Sequence, residues 1–273
     1  MAVINFDVLI IILMTANIFK AEKDSLSFLG LMSSMFARFD AQIQSPTKEP
    51  THTKGLNIHA LIVDNVSGQV LGMQQNTIHK FNNPLLHAEQ LTLQEAINEK
   101  NKISPRDPST TSVEDYYRNL LFNDPQSYDA LNSGCSIYTT LEPCPFCTSA
   151  LLVSRMKRIV FITPDSAYGS SYYNTWATYY KKYDIHYEQM DINSINSPLV
   201  QKSKMFLTDL LQKIKGMTVP GTLFFDTLQA DLKIIYDYFV SVKDSDLVST
   251  GSELARNAKL LSDLQSRSEP MPG

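Results

Sequence analysis

Two cysteines in the stretch TTLEPCPFCTSALL (residues 139–152) are the residues best suited to chemistry. Cys144 and Cys147 stand three positions apart, directly after an apolar run that is typical of a strand. A close cysteine pair supports two kinds of chemistry, namely thiol–disulfide exchange and metal binding. A thiol at the N-terminus of a helix has a lowered pKa, which suits both kinds of chemistry. The pair by itself therefore leaves both open.

The local layout gives the thiol–disulfide interpretation some support. A strand followed by Cys-Pro-Phe-Cys at the start of a helix is the arrangement of thioredoxin-like sites. The segment Thr218-Val219-Pro220 resembles one that such folds place beside their cysteines, but it lies more than seventy residues downstream, within helical sequence. A thiol–disulfide oxidoreductase that uses Cys144 and Cys147 is retained as an alternative function.

The metal interpretation needs further ligands, and the stretch LLHAEQL supplies one. His87 is followed two residues later by Glu89. Two thiolates and one imidazole hold zinc and leave a fourth position open, as in catalytic zinc sites. Zinc lowers the pKa of a bound water from about 15.7 to about 7, and a carboxylate nearby that is not a ligand shuttles protons. His-x-Glu followed by Pro-Cys-x-x-Cys is the pattern of zinc-dependent nucleobase deaminases.

The sequence around these residues predicts a scaffold of alternating strands and helices. Two short apolar runs from Ile58, IHALIVD and QVLGMQQ, predict a hairpin. Asn83 and Pro84 predict the N-cap and first residue of a helix that reaches about Lys100. The elements predicted after it are a strand over CSIYTTL, a helix from Cys144 to about Arg155, a strand over RIVFIT, a helix over residues 172–183 and a strand over DIHYEQMDI. This alternation predicts an α/β core with a partly parallel sheet.

Helical segments flank this core on both sides. Residues 1 to about 40 carry an apolar face, Gln44–Gly55 is a polar linker, and Asn101–Gly134 is a long insertion. The last thirty residues are polar and predict at most one weak helix. We divide the chain into a helical N-terminal extension with its linker (1–55), a core (56–192) and a helical C-terminal extension (193–273). The apolar stripes of the C-terminal extension are Phe206, Leu207, Leu210, Leu211 and Ile214, then Phe225, Leu228, Leu232, Ile235 and Phe239.

The composition is that of an ordinary globular protein. Of 273 residues 43% are hydrophobic, and the net charge of −4 disfavours long-range attraction to nucleic acid or anionic membranes. Only three cysteines are present, which predicts a reducing, cytoplasmic location. The apolar run Val8–Met14 is shorter than the roughly 20 residues of a membrane span. We expect a buried or interface helix there, with a membrane anchor or signal as the alternative. A solvated face, or alternatively a basic patch, is predicted for Arg155, Lys157, Arg158, Lys181 and Lys182.

The two motifs together resemble the cytidine deaminase-like superfamily, nearest its tRNA adenosine deaminase branch. LEPCPFCTSALLVSRMKRIVF resembles the family segment in which Pro-Cys opens a helix, Ser-Arg follows and a short strand comes next. LGMQQNTIHKFNNPLLHAE resembles the upstream half, with Asn83 in place of the usual aspartate before Pro84. The resemblance covers about Ile58 to Met190. It implies a three-layer α/β/α fold with a mixed five-stranded sheet.

The resemblance also implies how the metal and the proton are handled. It implies one zinc ion per chain, held by His87, Cys144 and Cys147. Glu89 would shuttle the proton during hydrolytic deamination of an amino-substituted nucleobase. A non-catalytic binding scaffold of the same fold is a further alternative, but a scaffold has no need of Glu89.

The resemblance is less specific about the substrate and the partners. It implies base recognition by Asn76 and an amide of Ala88 that faces the substrate. Adenosine in RNA is slightly favoured by the motifs, whereas the negative charge and the long extensions favour a free base or a nucleoside such as guanine or cytidine. Family members commonly complete the pocket with a neighbouring subunit, which implies a homodimer, and no membrane span is expected.

Overall fold

Two units, one α/β and one helical, make up the chain. The structure is a computed structural model that describes residues 6–44, 58–81, 83–103, 134–165, 169, 185–193, 195–215 and 228–269. The α/β unit comprises residues 49–66 and 70–189, and the helical unit comprises 1–48, 67–69 and 190–273. The flanking segments therefore belong to one unit, and the division at residues 55 and 192 remains a prediction.

The α/β unit contains a mixed five-stranded sheet in the order β2-β1-β3-β4-β5. β1 is antiparallel to β2 and to β3, whereas β3, β4 and β5 are parallel to one another. The mixed five-stranded sheet is thus confirmed. β1, β3 and β4 are buried along their whole length, which is why their sequences lack a polar alternation. The strands are β1 (His59–Asp64), β2 (Val70–Gln75), β3 (Cys135–Leu141), β4 (Arg158–Thr163) and β5 (His186–Gln189).

Two helices, α3 (Ala88–Ile103) and α4 (Pro145–Val153), share one apolar cluster with the strands of this unit. The Thr92 hydroxyl fixes α3 against β1 by donating to the carbonyl of Ala60 at 3.2 Å. The helix also approaches β2 closely, because a Cβ added at Gly72 would lie 2.6 Å from the carbonyl oxygen of Thr92. The short α2 (Ile78–Phe81) precedes α3.

The predicted start of α3 is wrong by about four residues. Asn83 does not cap the helix; its side-chain oxygen accepts the N–H of Leu85 at 3.0 Å, and its carbonyl accepts the N–H of Leu86 at 3.2 Å. An asparagine that bonds two residues ahead forms a turn of its own. Pro84 therefore lies in a turn, and the helix begins at Ala88.

The helical unit is built from α1, α5, α6 and α7. α1 packs against the other three helices, and its residues 21–35 are all buried. The predicted stripes are largely confirmed, since Phe206, Leu207 and Leu210 are buried on α5; on α6 the buried members are Leu232, Ile235 and Phe239, while Phe225 lies outside the described residues. The helices are α1 (Phe6–Gln44), α5 (Pro198–Lys215), α6 (Gln229–Ser241) and α7 (Gly251–Arg267), with a 3-10 turn at Asp244–Asp246.

The expectation of one weak helix at the C-terminus is wrong. α7 is a seventeen-residue helix that buries three leucines and an asparagine. Its sequence is polar overall, so that the narrow buried face carries little hydrophobic signal. α1 and α7 approach so closely that a Cβ at Gly30 would lie 2.8 Å from the Leu264 side chain.

A buried carboxylate joins the first helix to the last. Glu22 on α1 is 0% exposed and accepts the N–H groups of Val248 and Ser249 at 2.6 and 3.2 Å. The Ser249 hydroxyl and the Asn257 side-chain amide also donate to it. Since anions are stabilised near helix N-termini, Glu22 suits its position beside the start of α7.

The N-terminal apolar run lies within α1, which begins at Phe6. The side chains of residues 6–15 lie outside the described residues, so the expected buried or interface role stays a prediction. No helix in the described part of the chain is long and apolar enough to cross a membrane. The helix predicted over 172–183 also lies outside the described residues, as does the stretch VEDYYRNLLF (residues 113–122), whose sequence indicates a short helix.

Candidate metal centre

The site residues meet at one edge of the sheet. β3 and β4 are parallel, so that their carboxyl ends lie at the same edge. β1 and β2 run antiparallel there, with His59 opposite Gln75, which brings the end of β2 to the same edge. Asn76 follows β2 and the cysteine pair follows β3, and a backbone hydrogen bond of 3.0 Å from Thr77 to Leu86 brings the segment before α3 alongside.

His87 occupies the N-cap position of α3. Its carbonyl accepts the first helical hydrogen bond, from Leu91 at 3.0 Å. The Cys144 sulfur raises the pKa of the His87 imidazole, and the backbone of Pro84 acts in the same direction. The turn at Pro84, misread from sequence as a helix start, therefore lies beside His87.

Cys144 occupies the corresponding position on α4. It is the N-cap residue, with φ −66° and ψ 168°, and Pro145 is the first helical residue. The N–H of Thr148 donates to its carbonyl at 2.8 Å. One turn further, Cys147 is fully buried. Both cysteines therefore lie in the first turn of a helix, as predicted, where the helix dipole favours thiolate.

His87, Cys144 and Cys147 converge on one point, as predicted. Their ligand atoms all lie within 4.8 Å of one another, and the Cys144 Sγ to His87 Nδ1 distance is 3.8 Å. A tetrahedral zinc ion about 2.3 Å from sulfur and about 2.0 Å from nitrogen sets those two atoms about 3.5 Å apart. Two soft sulfur donors and one imidazole are a zinc-type ligand set. The donor atoms therefore fit zinc in kind and in spacing.

Hydrogen bonds among His87, Cys144 and Cys147 shift the pKa values of all three. The Cys147 thiol donates to Cys144 and so lowers the pKa of Cys144 to about 4, and the bond to His87 acts in the same direction. The same thiol–thiolate contact, together with burial, raises the pKa of Cys147. The bond to Cys144 raises the pKa of His87. A metal that takes both sulfurs must displace the Cys147 proton, so binding releases protons.

Glu89 lies beside this ligand set and is only 3% exposed. Its Oε2 atom is buried and has no hydrogen-bond partner among the described residues. Burial raises the pKa of Glu89 to about 7, and the nearby Cys144 thiolate acts in the same direction. A buried carboxylate oxygen without a partner is costly to keep, and such exceptions occur where a group awaits a ligand or a water.

Asn76 combines a structural contact with an unused donor. Its Oδ1 accepts the N–H of Ile78 at 3.0 Å and so caps α2. Its Nδ2 atom is buried and has no hydrogen-bond partner in the described part of the chain. Ala88 is the first residue of α3, where a backbone N–H has no acceptor within its own helix. Asn76 therefore offers an unused side-chain donor after the end of β2, and Ala88 offers a backbone donor next to His87.

Two residues of the cysteine segment have roles that the sequence reasoning missed. Phe146, between the cysteines, is 47% exposed and its ring centroid lies 5.9 Å from that of His87. Glu142 is buried two residues before Cys144 and holds the ends of neighbouring strands. An acidic residue directly after the predicted strand CSIYTTL was the available signal for Glu142.

Residues 41–163 match the family model of the cytidine and deoxycytidylate deaminase zinc-binding region. By this match, the segment that carries His87, Cys144 and Cys147 is similar to the cytidine deaminase-like superfamily. This deaminase is 28% identical over 129 residues to a tRNA-specific adenosine deaminase of Rickettsia felis, covering 45% of this chain and 71% of that one. It is also 28% identical over 112 residues to a tRNA-specific adenosine deaminase of Aquifex aeolicus, covering 41% and 55%.

Solved structures similar to this deaminase include the guanine deaminase of Bacillus subtilis. The TM-score is 0.28 at 16% identity, covering 61% of this chain and 84% of that one. The family match, together with the observed sheet, shows the predicted three-layer α/β/α fold. It also identifies the reaction class as the deamination of a nucleobase or nucleotide, which does not favour the thiol–disulfide alternative.

Proposed function

We propose that this deaminase uses one zinc ion per chain to hydrolyse the amino group from a nucleobase, with adenosine in RNA as the favoured substrate. The observation that carries the proposal is the convergence of His87, Cys144 and Cys147 within 4.8 Å beside the buried, unpartnered carboxylate oxygen of Glu89. Zinc bound there acts as a Lewis acid and makes water nucleophilic at neutral pH. The thiol–disulfide alternative assigns no role to Glu89.

The residues around the metal ligands handle the proton and the base. Glu89 takes a proton from the attacking water and delivers it to the ring nitrogen, and it then passes the proton of the added hydroxyl to the departing amine. Water adds to the ring carbon that bears the amine, the C–N bond breaks and ammonia leaves. The Nδ2 group of Asn76 and the N–H of Ala88 donate to the base, since Ala88 follows His87 directly and Asn76 Nδ2 has no acceptor among the described residues.

The names of the relatives support RNA as the substrate, whereas the surface charge adds no support for it. Two relatives are named as tRNA-specific adenosine deaminases. Of the basic residues considered for a patch, Arg158 is buried and paired with Glu188 through Nη2 at 2.5 Å, so that it is not available to RNA. Lys181 and Lys182 lie outside the described residues. Free bases and nucleosides therefore belong in the same screen.

We also propose that the protein is a cytoplasmic homodimer. The set of three cysteines is typical of a reducing compartment. Phe146 and Val153 are exposed, and being seven positions apart they share one face of α4. An exposed apolar face of this kind supports pairing of two copies. Val153→Lys should shift the protein to monomer in light scattering, whereas a monomeric wild type would contradict the dimer.

The proposal is tested by an ammonia-release screen combined with metal analysis. Free bases, nucleosides, nucleotides and tRNA are offered to wild type, to Glu89→Gln and to His87→Ala. Wild type should hold one zinc per chain and release ammonia, Glu89→Gln should keep zinc and lose activity by about 10²–10⁴-fold, and His87→Ala should lose both. A zinc-free wild type with a reversible Cys144–Cys147 disulfide would instead support the oxidoreductase.

A further inference from the structure

Glu142 is a buried carboxylate that lies outside the proposed metal ligands. It is 4% exposed, and both of its oxygens are engaged. Oε2 accepts the N–H of Asp165 at 3.0 Å, and Oε1 accepts the hydroxyl of Tyr187 at 3.0 Å. Its own N–H donates to the carbonyl of Thr163 at 2.8 Å. One residue thus ties the end of β3 to the end of β4 and to β5.

Very little free chain separates this anchor from the first cysteine. Pro143 has a fixed φ, and its carbonyl accepts the Thr148 hydroxyl at 3.2 Å. Cys144 is the N-cap of α4, and its carbonyl accepts the N–H of Thr148. Cys144 is therefore held between Glu142 on one side and the first turn of α4 on the other. A shift of Glu142 moves Cys144, because no flexible residue lies between them to absorb it.

The chain after β4 encloses the carboxylate from its other side. Gly169 donates its N–H to the carbonyl of Asp165 at 2.9 Å, which closes a turn over Glu142. A Cβ added at Gly169 would lie within 2.0 Å of Glu142 Oε2, so any larger residue displaces the carboxylate. Glu142 is fixed by hydrogen bonds and by shape together.

We infer that Glu142 is a positioning residue for the metal site, which holds Cys144 where its sulfur shares an ion with His87 and Cys147. The inference rests on the proposed zinc-dependent function. Mutation of a residue that holds a metal ligand in place commonly lowers the metal affinity about 10–100-fold. Glu142 does not touch the metal ligands through its carboxylate, and its influence passes through the backbone of Pro143 and Cys144.

The test compares zinc affinities, measured by competition with a chromophoric chelator at a temperature where each variant is folded. Glu142→Leu removes both acceptors and should weaken zinc binding about 10–100-fold. Glu142→Gln keeps both links, because its oxygen accepts from Asp165 while its amide donates to a rotated Tyr187 hydroxyl, so its affinity should stay near wild type. Tyr187→Phe removes one link and should have an intermediate effect.

Two further variants keep the test decisive if Glu142→Leu does not fold. Gly169→Ala leaves Glu142 in place but displaces its carboxylate, so it should weaken zinc binding as well. Glu188→Gln is the matched control, because it removes a carboxylate charge on β5 that pairs with Arg158. Wild-type zinc affinity in Gly169→Ala and Tyr187→Phe would overturn the inference.

The melting temperature of each zinc-free variant separates positioning from general stability. A purely structural role lowers the melting temperature without changing the zinc affinity of folded protein, and this result would also overturn the inference. Failure of the proposed function looks different, because wild type and His87→Ala would then bind zinc equally weakly. If His87→Ala loses zinc while Glu142→Leu and Gly169→Ala keep wild-type affinity, only the positioning role is refuted.

Discussion

Replacement of Glu22 should destabilise the helical unit far more than replacement of any exposed carboxylate in it. Glu22 is fully buried on α1, and it accepts hydrogen bonds from the Val248 and Ser249 backbones, the Ser249 hydroxyl and the Asn257 amide. All four donors belong to α7 or to the segment that enters it. Glu22→Ala leaves each of them without this acceptor, and the donors of Ser249 and Asn257 are buried.

The expected magnitude follows from those bonds. A buried polar group left unsatisfied costs about 1–3 kcal/mol, but bonds that share one acceptor are not additive. Glu22→Ala leaves neutral donors and no uncompensated charge, so we expect it to cost about 3 kcal/mol, at the upper end of that range. Glu22→Gln keeps an oxygen for Ser249 and Asn257 and turns an amide toward Val248, so we expect about 1–2 kcal/mol.

Urea unfolding followed by far-ultraviolet circular dichroism measures these losses, and hydrogen exchange in peptides from residues 244–267 locates them. The matched control is Asp237→Ala, which removes an exposed carboxylate paired with Lys233 on α6 and should cost less than about 0.5 kcal/mol. If Glu22→Ala and Asp237→Ala unfold with equal free energies, the network contributes nothing net and our reasoning is refuted.

Three further predictions concern the site and its support. Asn76→Asp keeps the oxygen that caps Ile78 but removes the amide donor, so we expect catalytic efficiency to fall about 10–100-fold without loss of stability. Gly72→Ala places a Cβ 2.6 Å from the Thr92 carbonyl oxygen, so it should cost about 1–3 kcal/mol and weaken zinc binding by displacing α3. Chelation of zinc should lower the melting temperature reversibly, because a ligand that binds only the native state stabilises it.

Each of these predictions has a control. Asn76→Asp is compared with Asn76→Ala, which also loses the cap and should be less stable; equal catalytic efficiency of Asn76→Asp and wild type would exclude the base contact. Gly30→Ala is the control for Gly72→Ala, since its Cβ meets the movable side chain of Leu264. If Gly30→Ala lowers the free energy of unfolding as much as Gly72→Ala or more, the contact of Gly72 with the Thr92 backbone does not explain the cost. A melting temperature unaffected by chelation in wild type would speak against bound zinc.

The metal site could be predicted because its chemistry is local in sequence. His87, Glu89, Cys144 and Cys147 lie in two short motifs, each at the start of a helix, and the structure brings the three ligand atoms together. The sheet was predictable for the same kind of reason, since its buried strands are short runs rich in apolar and β-branched residues. Neither result required knowledge of contacts between residues distant in the chain.

The sequence-based predictions failed at residues whose side chains bond to partners that the sequence does not reveal. Asn83 and Pro84 form a good helix start in isolation, but the Asn83 side chain closes a turn instead. Glu22 and Glu142 look like surface residues in sequence, because a carboxylate is usually exposed, and only the folded chain supplies their donors. α7 was underestimated because part of its buried face is Asn257, which hydrophobic patterning does not count.

The contact between Glu22 and Asn257 also limits when the helical unit can finish folding during synthesis. The two residues are 235 positions apart, and most of the α/β unit lies between them. At about 5–20 residues per second, a ribosome needs roughly 10–50 s to pass from one to the other. α1 therefore leaves the ribosome long before α7 is made. Until then the polar and apolar groups of α1 that α7 buries lack these contacts, while the deaminase core is made and can fold. The helical unit is begun first and finished last.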